Sequence, residues 1–148
     1  MKISERMSEK ETQEIEPKDQ EKIIVYQLLQ NQLEELKQQM IMVEEQIAGL
    51  NLAREIIDEL GGKERETLIP LGSGFYAHGK LIGEKIITDN GAGVMIEKSK
   101  LHAKETIEKR KEELEEVKEK LQTDINKVVK NINEILPEIQ KIAEKLNK

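Results

Sequence analysis

The chain has 148 residues, a net charge of −6, charged residues at 36% and aromatic residues at 2%, with neither Cys nor Trp. So little aromatic area leaves an aliphatic seam rather than a broad core, and the Glu/Lys/Leu/Ile balance is that of long helices with wet faces. The acidic balance and interleaved Lys exclude a phosphate-binding stripe, so no nucleic acid partner is expected. The absence of Cys excludes disulfides and thiolate metal sites.

In chain order, residues 1–18 read as a polar, disordered tail with no hydrophobic segment of the kind a signal peptide carries. Residues 19–62 follow as a first coiled-coil helix, opened by Pro17 or capped by Asp19. Tyr26, Leu29, Leu33, Leu36, Met40, Val43, Ile47 and Leu50 alternate three- and four-residue steps, which keeps one seam facing a partner helix. The rhythm slips at Arg54 and resumes as Ala53, Ile57 and Leu60, until Gly61 and Gly62 end the helix. Met40 and Met42 read as seam or coil surface.

Residues 63–98 change character. Strand candidates at 67–71, 75–82, 85–88 and 94–97 are separated by Gly72-Ser73-Gly74 and by Asp89-Asn90-Gly91-Ala92-Gly93, which predicts two β-hairpins. From Ser99, a good N-cap, residues 99–148 form a second helix with its seam at Ile107, Leu114, Val117, Leu121, Ile125, Val128, Ile132, Ile135, Ile139, Ile142 and Leu146. The repeated four-residue step at Leu121–Ile125 predicts a stutter. Pro137, with Asn126, Asn131 and Asn133, predicts a bent or frayed distal end.

The fold class is therefore mostly α with a small β part: a long antiparallel two-helix coiled coil joined by two hairpins. Two short hairpins are marginal alone, and theirs carry Leu68, Ile69, Leu71, Phe75, Tyr76, Ile86, Ile87, Val94 and Ile96. These nine are the candidate oligomerisation residues, closing a shared barrel with other chains, since open apolar edges invite pairing. At the other end, Ile23, Ile24, Val25, Tyr26, Leu28 and Leu29, with Ile139, Ile142 and Leu146, offer more apolar surface than a two-helix seam needs. Such patches mark binding sites.

Catalysis is not expected. The glycines at 72, 74, 79, 91 and 93 form neither G-x-G-x-x-G nor a P-loop. His78 and His102 are too few for a zinc site. The Glu112–Glu119 stretch pairs with Lys at i,i+4 as a solvated surface. No apolar run is long enough to span a bilayer, so no membrane partner is expected.

The segment Leu68-Ile69-Pro70-Leu71-Gly72-Ser73-Gly74-Phe75-Tyr76-Ala77-His78-Gly79, followed by Ile86 through Lys98, resembles the linker of prefoldin alpha-type subunits. Asn90 departs from it where relatives place a small or apolar residue. The resemblance covers residues 20–148 and implies an ATP-independent chaperone without cofactors; a cytoplasmic location is expected from the lack of Cys. It implies a hexamer of two alpha and four beta subunits, with hairpins in a double barrel and coiled-coil tips that hold unfolded polypeptide for a group II chaperonin. Two rivals stand beside the chaperone reading: a coiled-coil structural tether and a filament-forming assembly protein.

Overall fold

The computed structural model describes residues 15–61 and 64–147. The element order is α1 (Pro17–Glu59), β1 (Arg65–Gly72), β2 (Phe75–Leu81), β3 (Ile86–Asp89), β4 (Met95–Lys98) and α2 (Lys100–Leu146). The helices hold 43 and 47 residues, lengths of roughly 65 and 70 Å at the usual rise.

The expected tail lies outside the described residues up to residue 14, but its last part is ordered differently from expectation. Gln20 N–H donates to Glu16 O at 3.0 Å, which makes Glu16 the cap and Pro17 the first helical residue. There its missing N–H costs nothing and its fixed φ suits the helix. At the far end α1 stops at Glu59, short of the expected residue 62. Leu60 N–H turns back to Ile57 O, and Gly61 takes φ 115°, a conformation natural to glycine.

The described residues form two compact units, one from 15–43 with 117–147 and the other from within 44–116. In the first, α1 and α2 run antiparallel, with Lys22 reaching Glu138 at 3.7 Å and Lys145 reaching Asp19 at 3.9 Å. Met40, Val43, Leu121, Val128, Ile139, Ile142 and Leu146 are buried there. Val117, expected in the seam, is 45% exposed, and Lys118 is half-buried in its place. With Lys118 the spacing Leu114, Lys118, Leu121, Ile125, Val128 keeps its 4–3 alternation, so the predicted stutter is absent. A lysine can hold that position because its methylenes cover apolar surface while the ammonium reaches water.

Nor does the distal end fray. The helix continues through Pro137 to Leu146, and Ile139, two residues past the proline, is 1% exposed. Proline removes one backbone hydrogen bond, while the seam on either side holds the turn closed through Ile135, Ile139 and Ile142.

In the second unit Ile57, Ala103 and Ile107 form the buried cluster, flanked by Leu50, Ala53, Leu60 and Ile86. The expected continuation through Ala53, Ile57 and Leu60 packs on this cluster, with Arg54 half-buried beside it. Its guanidinium pairs with Glu108. Lys100 Nζ donates to Asp58 O and Leu60 O at 2.9 and 2.8 Å, supplying from α2 the cation that the last turn of α1 lacks. It sits where the helix dipole favours positive charge. Ser99 Oγ accepts from His102 N–H at 3.2 Å, the N-cap expected at that residue.

The hairpins are two separate two-stranded sheets, β1–β2 and β3–β4, both antiparallel. Gly72 faces Phe75 across a two-residue loop, with Ser73 at φ 53° and Gly74 at φ 84°. Two positive φ angles give the turn whose twist matches its strands. Leu71 is the extra residue of a bulge between Pro70 and Gly72. In the longer second loop Asn90 N–H donates to Val94 O, and Asp89 Oδ1 accepts from Gly91 N–H, both at 2.9 Å.

Candidate interaction surfaces

The nine expected tip residues separate into two groups in the first unit. Ile139, Ile142 and Leu146 are the buried core, with Ile15, Ile23, Tyr26, Ile135 and Ala143 packed on them. They face inward because the heptad of α2 runs unbroken to Leu146. Leu29 is also half-buried, and the Tyr26 hydroxyl accepts from Gln30 Nε2 at 2.9 Å. What faces outward is Ile24, Val25 and Leu28, the last 62% exposed. They lie one to two residues off the seam positions, where the polar residues of a coiled-coil helix belong. Ile15 had no periodic neighbour in the sequence, and nothing there signalled its packing on the tip core.

In the second unit the hairpins differ in how they are held. Ile86, expected on the assembly surface, is half-buried and packs against Ile57, Ala103 and Ile107 of its own chain. Lys98, which pairs with Ile86 across the sheet, donates to Thr106 Oγ1 at 2.7 Å. Arg110 donates to Asp89 O at 3.4 Å. One face of β3–β4 is thereby seated on α2 by the period-two alternation of its strands, and the other face shows Ile87 and Met95 to solvent.

Hairpin β1–β2 leaves nearly all its apolar side chains uncovered. Leu68, Ile69, Leu71, Phe75 and Tyr76 are exposed, Phe75 at 70%, as are Val94 and Ile96 of the second hairpin. Eight of the nine expected assembly residues are therefore exposed in the single chain, and the ninth, Ile86, is half-buried. Ile69 and Gly79 share one face, and a Cβ on Gly79 would lie 2.3 Å from Ile69 Cδ1. The glycine is what lets the isoleucine cross the strand pair there. Ile82, in the connection between hairpins, is exposed as well.

The charged groups have structural work. Lys104 binds Asp58, and that hydrogen bond holds the Asp58 carboxyl below the usual carboxylate range, helped by the fields of Lys104, Arg54 and Lys100 and opposed by desolvation. Among the described residues no three His, Cys, Asp or Glu side chains are grouped to hold a metal ion. No described helix is long and apolar enough to cross a membrane.

A pair of long antiparallel helices with two hairpins inserted between them defines a coiled-coil protein whose exposed apolar side chains lie on the hairpins and on the outer faces of the helices. Residues 29–145 match the Prefoldin family, described as prefoldin subunit, and the chain belongs to that family. Similar proteins include alpha subunits: prefoldin subunit alpha of Methanosarcina barkeri is 38% identical over 92 residues, 58% of this chain and 64% of that protein. The Methanosarcina mazei alpha subunit is 35% identical over 92 residues, 58% of this chain and 65% of that protein. The chain thus spans just under two thirds of the length of these relatives. Among solved structures, filamentous prefoldin from Methanocaldococcus jannaschii is similar in fold, with TM-score 0.62 and 21% identity, covering 76% of this chain and 96% of that one.

Proposed function

We propose that this chain is the alpha-type subunit of an ATP-independent chaperone, assembled with beta subunits through its hairpins. In this reading it grips unfolded polypeptide at the outer face of its coiled-coil tip and passes it to a group II chaperonin. The hexamer has two alpha and four beta subunits, its site of action is the cytoplasm, and no cofactor takes part. The observation that carries the reading is the exposed Ile24, Val25 and Leu28 beside a closed seam. A packed core does not need these side chains, and apolar surface of this kind binds other apolar surface. Each tip contributes a weak patch, and several patches on one platform raise avidity through effective concentration.

The test is the triple substitution Ile24→Gln, Val25→Gln, Leu28→Gln in the complex formed with beta subunits. Light scattering should show unchanged assembly while suppression of client aggregation falls severalfold. Undiminished suppression would place client contact elsewhere. Electron microscopy of the same sample tests a filament, the form named for the Methanocaldococcus jannaschii protein, against discrete particles.

A further inference from the structure

The second unit carries an apolar feature that neither the seam nor the hairpins use. Along α1, Glu45, Gly49, Leu52, Ile56 and Glu59 follow one another at four- and three-residue steps, so they form a single straight ridge. All five are exposed, Leu52 at 58% and Ile56 at 44%. The seam residues Ile47, Leu50, Arg54 and Ile57 face α2, so the ridge points away from it. A Cβ on Gly49 would meet nothing within 4 Å, which leaves a gap where another backbone can approach closely. The ends of the ridge are acidic. Glu59 holds Arg65 at 2.6 Å, while among the described residues Glu45 and the adjoining Glu55 have no ion-pair partner. Arg54, on the same helix, is turned to Glu108.

We infer that this ridge, Gly49–Leu52–Ile56 with its acidic ends, is a docking surface for a positively charged amphipathic helix of a partner protein. A row of side chains at i and i+4 fits the groove between the corresponding rows of another helix. Lys or Arg on the flanks of that helix would meet Glu45 and Glu55. A second copy of this chain is disfavoured by the same charges. A two-fold contact sets a patch against itself, which here places glutamate ends against glutamate ends. The surface is distinct from the tip residues of the proposed chaperone function, and its test separates the two.

The probe is a fluorescein-labelled helical peptide of roughly 15 residues, with Leu at i, i+4, i+7 and i+11 and Lys elsewhere, titrated by anisotropy onto the complex of this chain with beta subunits. Saturable binding is expected. It should weaken severalfold between about 50 and 300 mM salt as the charges are screened, and an otherwise identical peptide with Glu for Lys should not bind. The double substitution Leu52→Gln, Ile56→Gln should weaken binding about tenfold or more. Gly49→Gln should also weaken it while leaving the thermal midpoint equal or higher, because glycine is a poor helix former. Equal binding of the Lys and Glu peptides would overturn the inference. So would loss of binding on Ile24→Gln, Leu28→Gln with the ridge variant unaffected, a result that makes the peptide a client at the tip. Conversion of a self-associated parent to a smaller species by Leu52→Gln, Ile56→Gln, read by sedimentation velocity, would assign the ridge to copies of this chain and overturn it as well.

Discussion

Replacing Ile139 with Ala tests whether the coiled-coil tip is a closed core or a loose client grip. Ile139 is 1% exposed, and its neighbours include Ile142, Leu146, Ile23 and Tyr26. Truncating a fully buried isoleucine costs about 2–5 kcal/mol, the transfer of the lost carbons plus the cavity left behind. The tip has helix on only two sides and can relax, so about 3 kcal/mol is the expected loss. At 1.4 kcal/mol per decade, that raises the local opening constant by roughly a hundredfold. Leu28→Ala is the control. With Leu28 62% exposed, little burial is lost, and alanine is the better helix former, so the net cost is about 1 kcal/mol or less. Hydrogen exchange read by mass spectrometry should show peptides covering 131–147 exchanging roughly a hundredfold faster in Ile139→Ala. Leu28→Ala should exchange like the parent. Equal protection in the two variants would refute the packing argument, because it would mean that Ile139 is no more buried in solution than Leu28.

Three further outcomes follow from particular contacts. Lys118→Leu should raise the thermal midpoint, by about 1 kcal/mol of added seam burial, whereas Val117→Gln should leave it nearly unchanged; the reverse order would restore the stutter. Asp58 has a carboxyl pKa lowered by Lys104, so its contribution is complete above the unfolded carboxylate value of about 3.9 and is lost as pH falls through the lower folded value. Thermal midpoints measured from about pH 6 down to pH 2 should therefore fall less steeply for Asp58→Asn than for the parent, and parallel curves would show that the contact adds nothing. Finally, Ile87→Asp should block assembly with beta subunits while the lone chain keeps its helicity, and Ile86→Asp should lower the helicity and melting point of the lone chain itself, by burying an unpaired charge. Circular dichroism and light scattering read both, and identical behaviour of the two variants would deny the difference between the faces of β3.

The division between seam and surface was partly legible in the sequence. Alternating steps from Tyr26 to Leu50 and from Leu121 to Leu146 required two helices facing each other, since no other period buries those residues together. The glycine-bounded runs required two hairpins for a similar reason. Lys118 and Arg54 were missed because a polarity pattern treats every charged residue as a surface residue, whereas a long side chain can cover the seam with its stem and still reach water or Glu108. The tip residues are not sorted by the sequence for a related cause. Nine apolar residues near the two chain ends look alike in composition, and only the rotation of each helix about its axis decides that Ile139, Ile142 and Leu146 face inward while Ile24, Val25 and Leu28 do not.

By itself, then, the sequence determined the number, order and kind of elements, because periodicity and turn chemistry are local and each residue carries its own preference. Tertiary structure alone decided that Ile86 joins the core of its own chain while Ile87 stays outside, that Pro137 leaves its helix unbroken, and that α1 keeps a second, acidic-ended apolar ridge free. Those outcomes depend on which surfaces meet across distant stretches of chain, and burial is a property of the pair in contact rather than of either residue.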